Sequence, residues 1–330
     1  MTPKESLKNL GYDDDVIVKI LEWNNKSLPE TLNYYIEKTF NYFIKKGYTK
    51  DEIIKMTKKL PTLFGYSEEN LNQKYQYFIK KGYTKDEIIK MTKTLPALFS
   101  YSEENLNQKY QYFINKGYTL EEIVKMTKKL PTLFGCSEEK LNNKYQYFIE
   151  KGYTLNEIKK MTKKLPALFS LNEESLNKKY QYFIQKGYTL EEVVKMTKTL
   201  PALSSYSEEN LNNKYQYFIE KGYTKDEIIK MTKTLPALFC LSEENIEEKL
   251  SFYNDINLLF IAINDTKQLM QSVELSYARY MYFKEHGITI DESNYIRLFY
   301  DNKKFSKQYG ITKEELLERY KYDDEKRKKL

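Results

Sequence analysis

The sequence predicts an all-α protein, a right-handed α-solenoid built from repeats of about 35 residues. A Gly-Tyr-Thr motif recurs every 35 residues, from Gly47 in the first copy to Gly222 in the sixth. A Leu-Pro pair recurs in phase with it, from Pro61 to Pro236. Apolar residues between these motifs fall at helical spacing. Each copy is therefore a helix, a proline turn and a second helix, and such units bury their apolar faces only by stacking.

The first helix of each copy is expected to begin with a capping box. The Thr49 hydroxyl accepts from the backbone N–H three residues on, and Glu52 reaches back to the N–H of Thr49. Ile53 and Met56 follow on the face that packs into the core. Pro61 ends the helix, because proline has no N–H to donate and restricts the residue before it.

The second helix follows a Pro-Thr-Leu-Phe or Pro-Ala-Leu-Phe turn, for which we predict one turn of 3₁₀-helix. Ser67 is the expected N-cap. Leu71, Tyr75 and Phe78 then share one helical face. Gly82 supplies the left-handed conformation that ends the helix and opens the next copy.

The two ends are predicted to be degenerate copies that cap the stack. Residues 1–46 form an amino-terminal capping region, residues 47–256 hold the six tandem repeats, and residues 257–330 hold carboxy-terminal degenerate repeats and a charged tail. Capping boxes are expected to start helices at Thr289 and at Thr312.

Composition and motifs exclude several classes of function. No stretch of about 18 apolar residues is present, so we expect no membrane span, and the amino terminus lacks the features of a signal peptide. Cys136 and Cys240 do not form a metal pattern, and the one histidine, His286, is expected to face a helix end. Because near-identical copies do not converge on one pocket, we predict no enzyme activity, no metal and no cofactor.

The repeat resembles that of the mitochondrial transcription termination factor (mTERF) family. The resemblance rests on the pattern from Gly47-Tyr48-Thr49 through Leu60-Pro61 to Ser67, repeated six times. It implies a superhelical half-ring whose concave basic surface holds double-stranded DNA or, in some members, RNA. Pentatricopeptide repeats share the period and bind single-stranded RNA, but they lack a proline that closes the first helix.

Lysines in phase on the first helices are the leading candidates for contacts to phosphates. A helical wheel places them opposite Ile53 and Met56, so we expect them to face solvent. These first-helix lysines are Lys55, Lys58, Lys90, Lys93, Lys125, Lys128, Lys160, Lys163, Lys195 and Lys198, with Lys230 and Lys233 in the sixth copy.

A second set of candidates lies on the second helices. The second-helix lysines are Lys74, Lys109, Lys144 and Lys179, with Lys214 and Lys249 in the last two copies. Tyrosines near them are expected on the face away from Leu71 and Phe78, where they could stack on bases or pack between repeats; the candidates are Tyr77, Tyr112 and Tyr147, followed by Tyr182 and Tyr217.

One position in the repeat varies from copy to copy while the residues around it are nearly constant. It precedes the closing Lys-Gly of each copy and holds polar types that can bond base edges, so a base-reading code is one hypothesis and neutral drift the other. The residues are Lys80, Asn115, Glu150, Gln185 and Glu220.

The sequence therefore predicts a monomeric nucleic-acid-binding solenoid, with duplex DNA ahead of RNA and a role in transcription or other nucleic-acid transactions. Repeats one to four carry more lysine than acid, whereas repeats five and six carry more acid. The rival prediction is a protein-interaction scaffold that binds its partner through repeats five and six. We expect a cytoplasmic or nucleoid-associated protein, or an organellar one if a presequence is missing or atypical.

Overall fold

The structure, a computed structural model, describes residues 2–23 and 29–323. Within that part of the chain the regular elements are α-helices and 3₁₀-helices, with no strand. The predicted all-α repeat architecture is confirmed. Residues 324–330, which include most of the predicted charged tail, lie outside the described residues.

The helices follow the predicted repeat. The amino-terminal region has α1 (Pro3–Asn9), α2 (Asp14–Trp23) and α3 (Pro29–Lys46). The six repeats contain α4 (Lys50–Lys59) and α5 (Glu68–Lys80), α6 (Lys85–Thr94) and α7 (Glu103–Asn115), α8 (Leu120–Lys129) and α9 (Glu138–Glu150), α10 (Leu155–Lys164) and α11 (Glu173–Gln185), α12 (Leu190–Thr199) and α13 (Glu208–Glu220), and α14 (Lys225–Thr234) and α15 (Glu243–Asp255). The carboxy-terminal region has α16 (Ile261–Asn264), α17 (Val273–Glu285), α18 (Asn302–Tyr309) and α19 (Lys313–Arg319).

The predicted caps and turns are confirmed. Thr49 and Glu52 form the capping box of α4, and the Ser67 hydroxyl accepts from the N–H of Asn70. Gly82 has φ 97°, a left-handed conformation that costs a glycine little. Each proline turn is a short 3₁₀-helix; the six span Pro61–Gly65, Pro96–Phe99, Pro131–Gly135, Pro166–Phe169, Pro201–Ser205 and Pro236–Phe239, and two more span Thr266–Met270 and Tyr295–Phe299.

Buried hydrogen bonds join neighbouring repeats. The Tyr48 hydroxyl bonds the Thr92 hydroxyl at 2.7 Å, and Thr92 in turn donates to the carbonyl of Ile88 at 2.7 Å. Because Thr92 uses its proton on its own helix, Tyr48 must be the donor. The tyrosine after the repeat glycine thus ties one repeat to the next. The same pair recurs as Tyr12–Thr57, Tyr83–Thr127, Tyr118–Thr162 and Tyr188–Thr232.

The chain packs as two compact units, Met1–Ser170 and Leu171–Leu330. In the first, α4, α6, α8 and α10 lie side by side, and in the second, α12, α14 and α16 do so. The boundary falls inside repeat four, where no motif marks it. The predicted division at residues 46 and 256 stays a prediction.

The carboxy-terminal region departs from the predicted repeat at one place. Thr312 does cap α19 with Glu315, as predicted. The helix expected to start at Thr289 is absent, and that prediction is wrong. Asp291 instead accepts from the N–H of Ser293 at 2.9 Å, and the Asn294 amide donates to the Thr289 carbonyl at 2.9 Å. These side-chain bonds hold a turn that competes with a helix.

Repeat five contains a defect in its core. Ser204 is 5% exposed and stands where the other five repeats have phenylalanine, as at Phe134 and Phe239. In the first unit Tyr110 packs on Phe134 with ring centroids 5.5 Å apart, and in the second Phe183 packs on Phe239 at 5.5 Å. Because residue 204 is serine, the interior of repeat five lacks one aromatic side chain that the other repeats contain.

Ser204→Phe is expected to stabilise the protein by roughly 1–2 kcal/mol, because it restores a buried ring that the repeat geometry accommodates elsewhere. Thermal unfolding followed by circular dichroism measures the gain as a higher Tm. Ser205→Phe, at an exposed neighbouring position, is the matched control and should leave Tm nearly unchanged. A lower Tm for Ser204→Phe would mean that the surrounding core has closed over the missing ring.

Candidate nucleic-acid interface

The first-helix lysines divide into two rows with different environments. Those in the phase of Lys55 are exposed, although Lys125 pairs with Glu121 of its own helix at 2.6 Å. We call them the outer row, and they are Lys55, Lys90, Lys125, Lys160 and Lys195. Those in the phase of Lys58 are half-buried; we call them the paired row, and they are Lys58, Lys93, Lys128, Lys163 and Lys198. The expectation that every first-helix lysine faces open solvent is therefore wrong for the paired row.

The paired row is engaged with the preceding repeat. Lys93 Nζ lies 2.5 Å from Glu52 Oε1, while the other oxygen of Glu52 caps α4 by accepting from Thr49 N at 2.9 Å. The first-helix wheel could not show this, because the acid belongs to the neighbouring copy. Equivalent pairs join Lys58 to Asp13, Lys128 to Glu87, Lys163 to Glu122 and Lys233 to Glu192.

These pairs make stability depend on pH at the acidic end. The paired lysine and the threonine cap lower the pKa of Glu52, Glu87 and Glu122, and in Glu192 the threonine cap is the larger cause. A carboxyl whose pKa is lowered in the folded state stabilises that state above its unfolded pKa, near 4.5. The stabilisation disappears as pH falls through the lower, folded value.

Exchanging these four glutamates for glutamine should flatten the acid side of the stability profile. We expect the wild-type Tm to fall from about pH 5 to about pH 3, with the variant lower at pH 7 and the two profiles converging at low pH. Thermal unfolding across that range measures the difference. The control exchanges four exposed second-helix glutamates, Glu69, Glu104, Glu139 and Glu209. Parallel profiles for wild type and the first variant would contradict the prediction.

The second-helix lysines are mostly buried. Lys74, Lys109 and Lys144 are 7%, 7% and 4% exposed, and Lys179 is half-buried. The ammonium of Lys109 donates to the carbonyl of Cys136, in the turn of the next repeat. Burial lowers the pKa of Lys74 and of Lys109. Buried ammonium groups are poorly placed to reach phosphates, so Lys74, Lys109 and Lys144 do not form a second accessible row.

The tyrosines beside them are buried as well. Tyr77, Tyr112 and Tyr147 are 6%, 7% and 7% exposed, so their rings are covered and not open to a base. The Tyr77 hydroxyl donates to Asn107 Oδ1 of the next repeat at 2.8 Å. The second helix packs on both sides, because it lies between two copies, and a wheel of one helix does not reveal its second buried face. Packing between repeats, one of the two alternatives, is what the structure shows.

A third set of lysines, which the sequence reading did not single out, covers these rings. Each is the lysine of a closing Lys-Gly pair, and several lie over tyrosines of two repeats. Lys81 Nζ is 5.3 Å from the ring centroid of Tyr77 and 4.8 Å from that of Tyr110. Lys116 lies in the same way over Tyr112 and Tyr145. The sequence did contain a signal for these cation–π contacts, because a lysine recurs four residues after a tyrosine at the end of each second helix from Lys81 to Lys221.

The outer row extends one repeat further toward the amino terminus than predicted. Lys19 on α2 is exposed and lies eight residues after Gly11, as Lys55 lies eight residues after Gly47. The segment before α2 contacts α4, since the Tyr12 hydroxyl bonds Thr57, and α2 packs on the turn Pro61–Gly65 that follows α4. The sequence would have shown Lys19 if the repeat positions had been aligned on Gly11, since this copy has no proline at the usual place.

The variable positions lie away from the outer row. Lys80, Asn115, Glu150, Gln185 and Glu220 are exposed, and each is the last residue of a second helix. Asn115 accepts from the Gln111 amide at 2.8 Å, and Glu150 accepts from the Gln146 amide at 3.0 Å. Base reading by these residues stays a prediction.

Residues 2–23 and 29–323 contain no group of three or more His, Cys, Asp or Glu side chains placed to hold a metal ion. Among these residues, no helix is both long enough and apolar enough to cross a membrane.

The repeat architecture agrees with the family model that the sequence matches. Three overlapping segments, residues 1–126, 117–196 and 157–257, match the family model of mTERF. Together they cover 257 of the 330 residues. No curated protein has significant sequence similarity to the chain. The matched length takes in the amino-terminal region and all six repeats, and the chain therefore belongs to the mTERF family of nucleic-acid-binding helical-repeat proteins.

Proposed function

We propose that the chain binds double-stranded DNA through the first-helix face of its amino-terminal unit and acts on transcription or another nucleic-acid transaction by occupying the duplex. The outer row supplies the contacts there: Lys55, Lys90, Lys125 and Lys160 are exposed on four adjacent helices. Helices packed side by side lie roughly 8–10 Å apart, so the ammonium groups follow one another at a spacing suited to successive phosphates.

The observation that favours a duplex is that the first helices offer no aromatic ring on which a base could stack. The six first helices, α4 to α14 in alternation, contain no aromatic residue. The tyrosines that could have stacked on bases are buried between repeats and covered by lysines. Proteins that bind single strands rely on exposed aromatic rings, whereas duplex binding needs backbone contacts that lysines alone can make.

A protein partner is the second candidate, and the charge of repeat six supports it. Helix α15 carries Glu243, Glu244, Glu247 and Glu248 where earlier copies have two glutamates. Lys221 pairs with Glu247 at 2.6 Å and Lys214 with Glu243 at 3.8 Å, and Glu244 and Glu248 add negative charge to this end of the repeats. Such a face repels DNA and suits a basic protein surface.

Fluorescence anisotropy with labelled duplex DNA, single-stranded DNA and RNA at several salt concentrations tests the proposal. We expect the duplex to bind most tightly, with an affinity that falls steeply with salt as phosphate-bound counterions are released. If single-stranded RNA bound more tightly than the duplex, RNA and not duplex DNA would be the ligand. No binding of any of the three at about 50 mM salt would overturn the nucleic-acid proposal and leave the protein partner.

A further inference from the structure

A cleft of about 530 Å³ opens between α1 and α3 at the amino-terminal end of the first unit. Ser6 and Leu10 of α1 form one wall. Ile36, Glu37 and Phe40 of α3 form the other, with Glu37 exposed and Phe40 largely covered. The cleft lies on helices that carry none of the outer-row lysines, so it is separate from the proposed DNA-binding face.

Helix α1 is the counterpart of the second helices of the repeats. It ends with the same hydrogen bond: the N–H of Tyr12 donates to the carbonyl of Leu7 at 3.1 Å, as that of Tyr83 donates to Phe78 at 3.2 Å. It packs on α2 and α3 in the way that α3 packs on α4 and α5. Positions on α1 and α3 can therefore be matched to the repeats by counting back from the glycine that ends each helix.

In the repeats, a tyrosine and a lysine four residues apart fill the space between consecutive second helices. The Tyr77 hydroxyl donates to Asn107 Oδ1 at 2.8 Å, and Lys81 lies 4.8 Å from the centroid of the Tyr110 ring. The next interface repeats this arrangement, with Tyr112 on Asn142 at 2.9 Å. Residues four apart on a helix share a face, so both side chains enter the same space.

The last of these interfaces uses a carboxylate as the acceptor. The Tyr217 hydroxyl donates to Glu247 Oε2 at 2.9 Å, and Lys221 Nζ lies 2.6 Å from the same oxygen. A glutamate at this position thus receives the hydroxyl and the ammonium together. The charge on Lys221 makes its hydrogen bond one of the stronger kind.

At the amino-terminal end, the receiving half of this interface is present and the inserted half is missing. Glu37 stands ten residues before its glycine, as Asn107 does, and Phe40 stands where Tyr110 does. On α1, Ser6 occupies the tyrosine position and Leu10 the lysine position. Two short side chains in place of two long ones account for the cleft.

We propose that this cleft binds a partner protein through a helical segment that presents a tyrosine and, four residues later, a lysine. The ring packs on Phe40, Ile36 and Leu10, and the tyrosine hydroxyl and the ammonium bond the Glu37 carboxylate. In the other interfaces of this chain a tyrosine and a lysine of the preceding second helix fill the same space, here left open beside α1. The exposed charge of Glu37 favours a cationic segment over an anionic one.

The test uses the full chain and a labelled peptide with the sequence of residues 103–117, which carries Tyr112 and Lys116. A control peptide has Tyr112→Ser and Lys116→Leu, the residue types that α1 has at these positions. Fluorescence anisotropy should give roughly tenfold weaker binding for the control peptide, since it lacks the ring and the charged bond. Equal binding of the two peptides, or none up to about 1 mM of protein, would overturn the proposal.

Two variants of the chain locate the binding. Ser6→Tyr/Leu10→Lys fills the cleft from within, so it should lose peptide binding roughly tenfold while Tm holds or rises, which shows that the fold survives. Glu37→Lys should weaken binding roughly fivefold and recover it with a Lys116→Glu peptide. Undiminished binding by the filled variant would contradict the site. If the wild-type chain forms a dimer and the filled variant does not, the cleft binds a second copy of the chain, and the proposal of a separate partner protein is overturned.

Discussion

Exchanging Lys55, Lys90, Lys125 and Lys160 together for glutamine is expected to weaken duplex DNA binding by roughly 100- to 1,000-fold at about 50 mM salt. All four side chains are exposed, so the variant should fold as the wild type does. Each lysine that neutralises a phosphate releases about one counterion, and the slope of log affinity against log salt should therefore become shallower by about 3–4. Anisotropy titrations at four or five salt concentrations measure both quantities.

A matched variant separates the outer row from charge in general. Lys4, Lys8, Lys45 and Lys140 are also exposed lysines of the first unit, but they lie on α1, α3 and α9 and not on a first helix of a repeat. Their exchange for glutamine alters net charge by the same amount. An equal loss of affinity in the two variants would mean that the DNA is held by overall charge and not by the first-helix face.

The fold could be predicted because its decisive signals are local. The capping box at Thr49, the proline turn at Pro61 and the left-handed Gly82 each act within a few residues, and six in-phase copies remove the ambiguity of any one of them. Thr289 shows the limit of that reasoning. A threonine and a glutamate three residues apart permit a capping box, but Asp291 and Asn294 offer the same backbone a stable turn.

The candidate site was predicted less completely, because it depends on contacts between copies. Lys55 and Lys93 look alike on the wheel of one helix, and only the neighbouring repeat places Glu52 beside Lys93. Lys74 and Tyr77 look solvent-exposed for the same reason, until a second copy covers them. In a stacked repeat each residue has partners about 35 positions away, and a single-helix pattern does not contain them.

Arg279→Ala is expected to lower the free energy of unfolding of the carboxy-terminal region by roughly 3–5 kcal/mol, the largest stability effect of any single change proposed here. Arg279 is 1% exposed. Its Nη1 donates to the carbonyls of Leu298 at 2.8 Å and Tyr300 at 2.6 Å, and its Nη2 donates to Asn302 Oδ1 at 2.9 Å. Burial lowers the pKa of Arg279 to about 10, so the guanidinium stays charged at neutral pH.

The guanidinium therefore joins α17 to the turn before α18, and its removal leaves buried acceptors without donors as well as a cavity. Arg279→Lys should recover little, because one ammonium does not reproduce the planar fork that serves three acceptors. Hydrogen exchange of residues 273–309 and urea unfolding measure the loss. Arg319→Ala removes an exposed arginine paired with Glu285 and should cost below about 1 kcal/mol. Stacked repeats couple mainly to their neighbours, so hydrogen-exchange protection in repeats one to three should stay unchanged in both variants. A loss of protection in those repeats would mean that the whole chain unfolds as one cooperative unit.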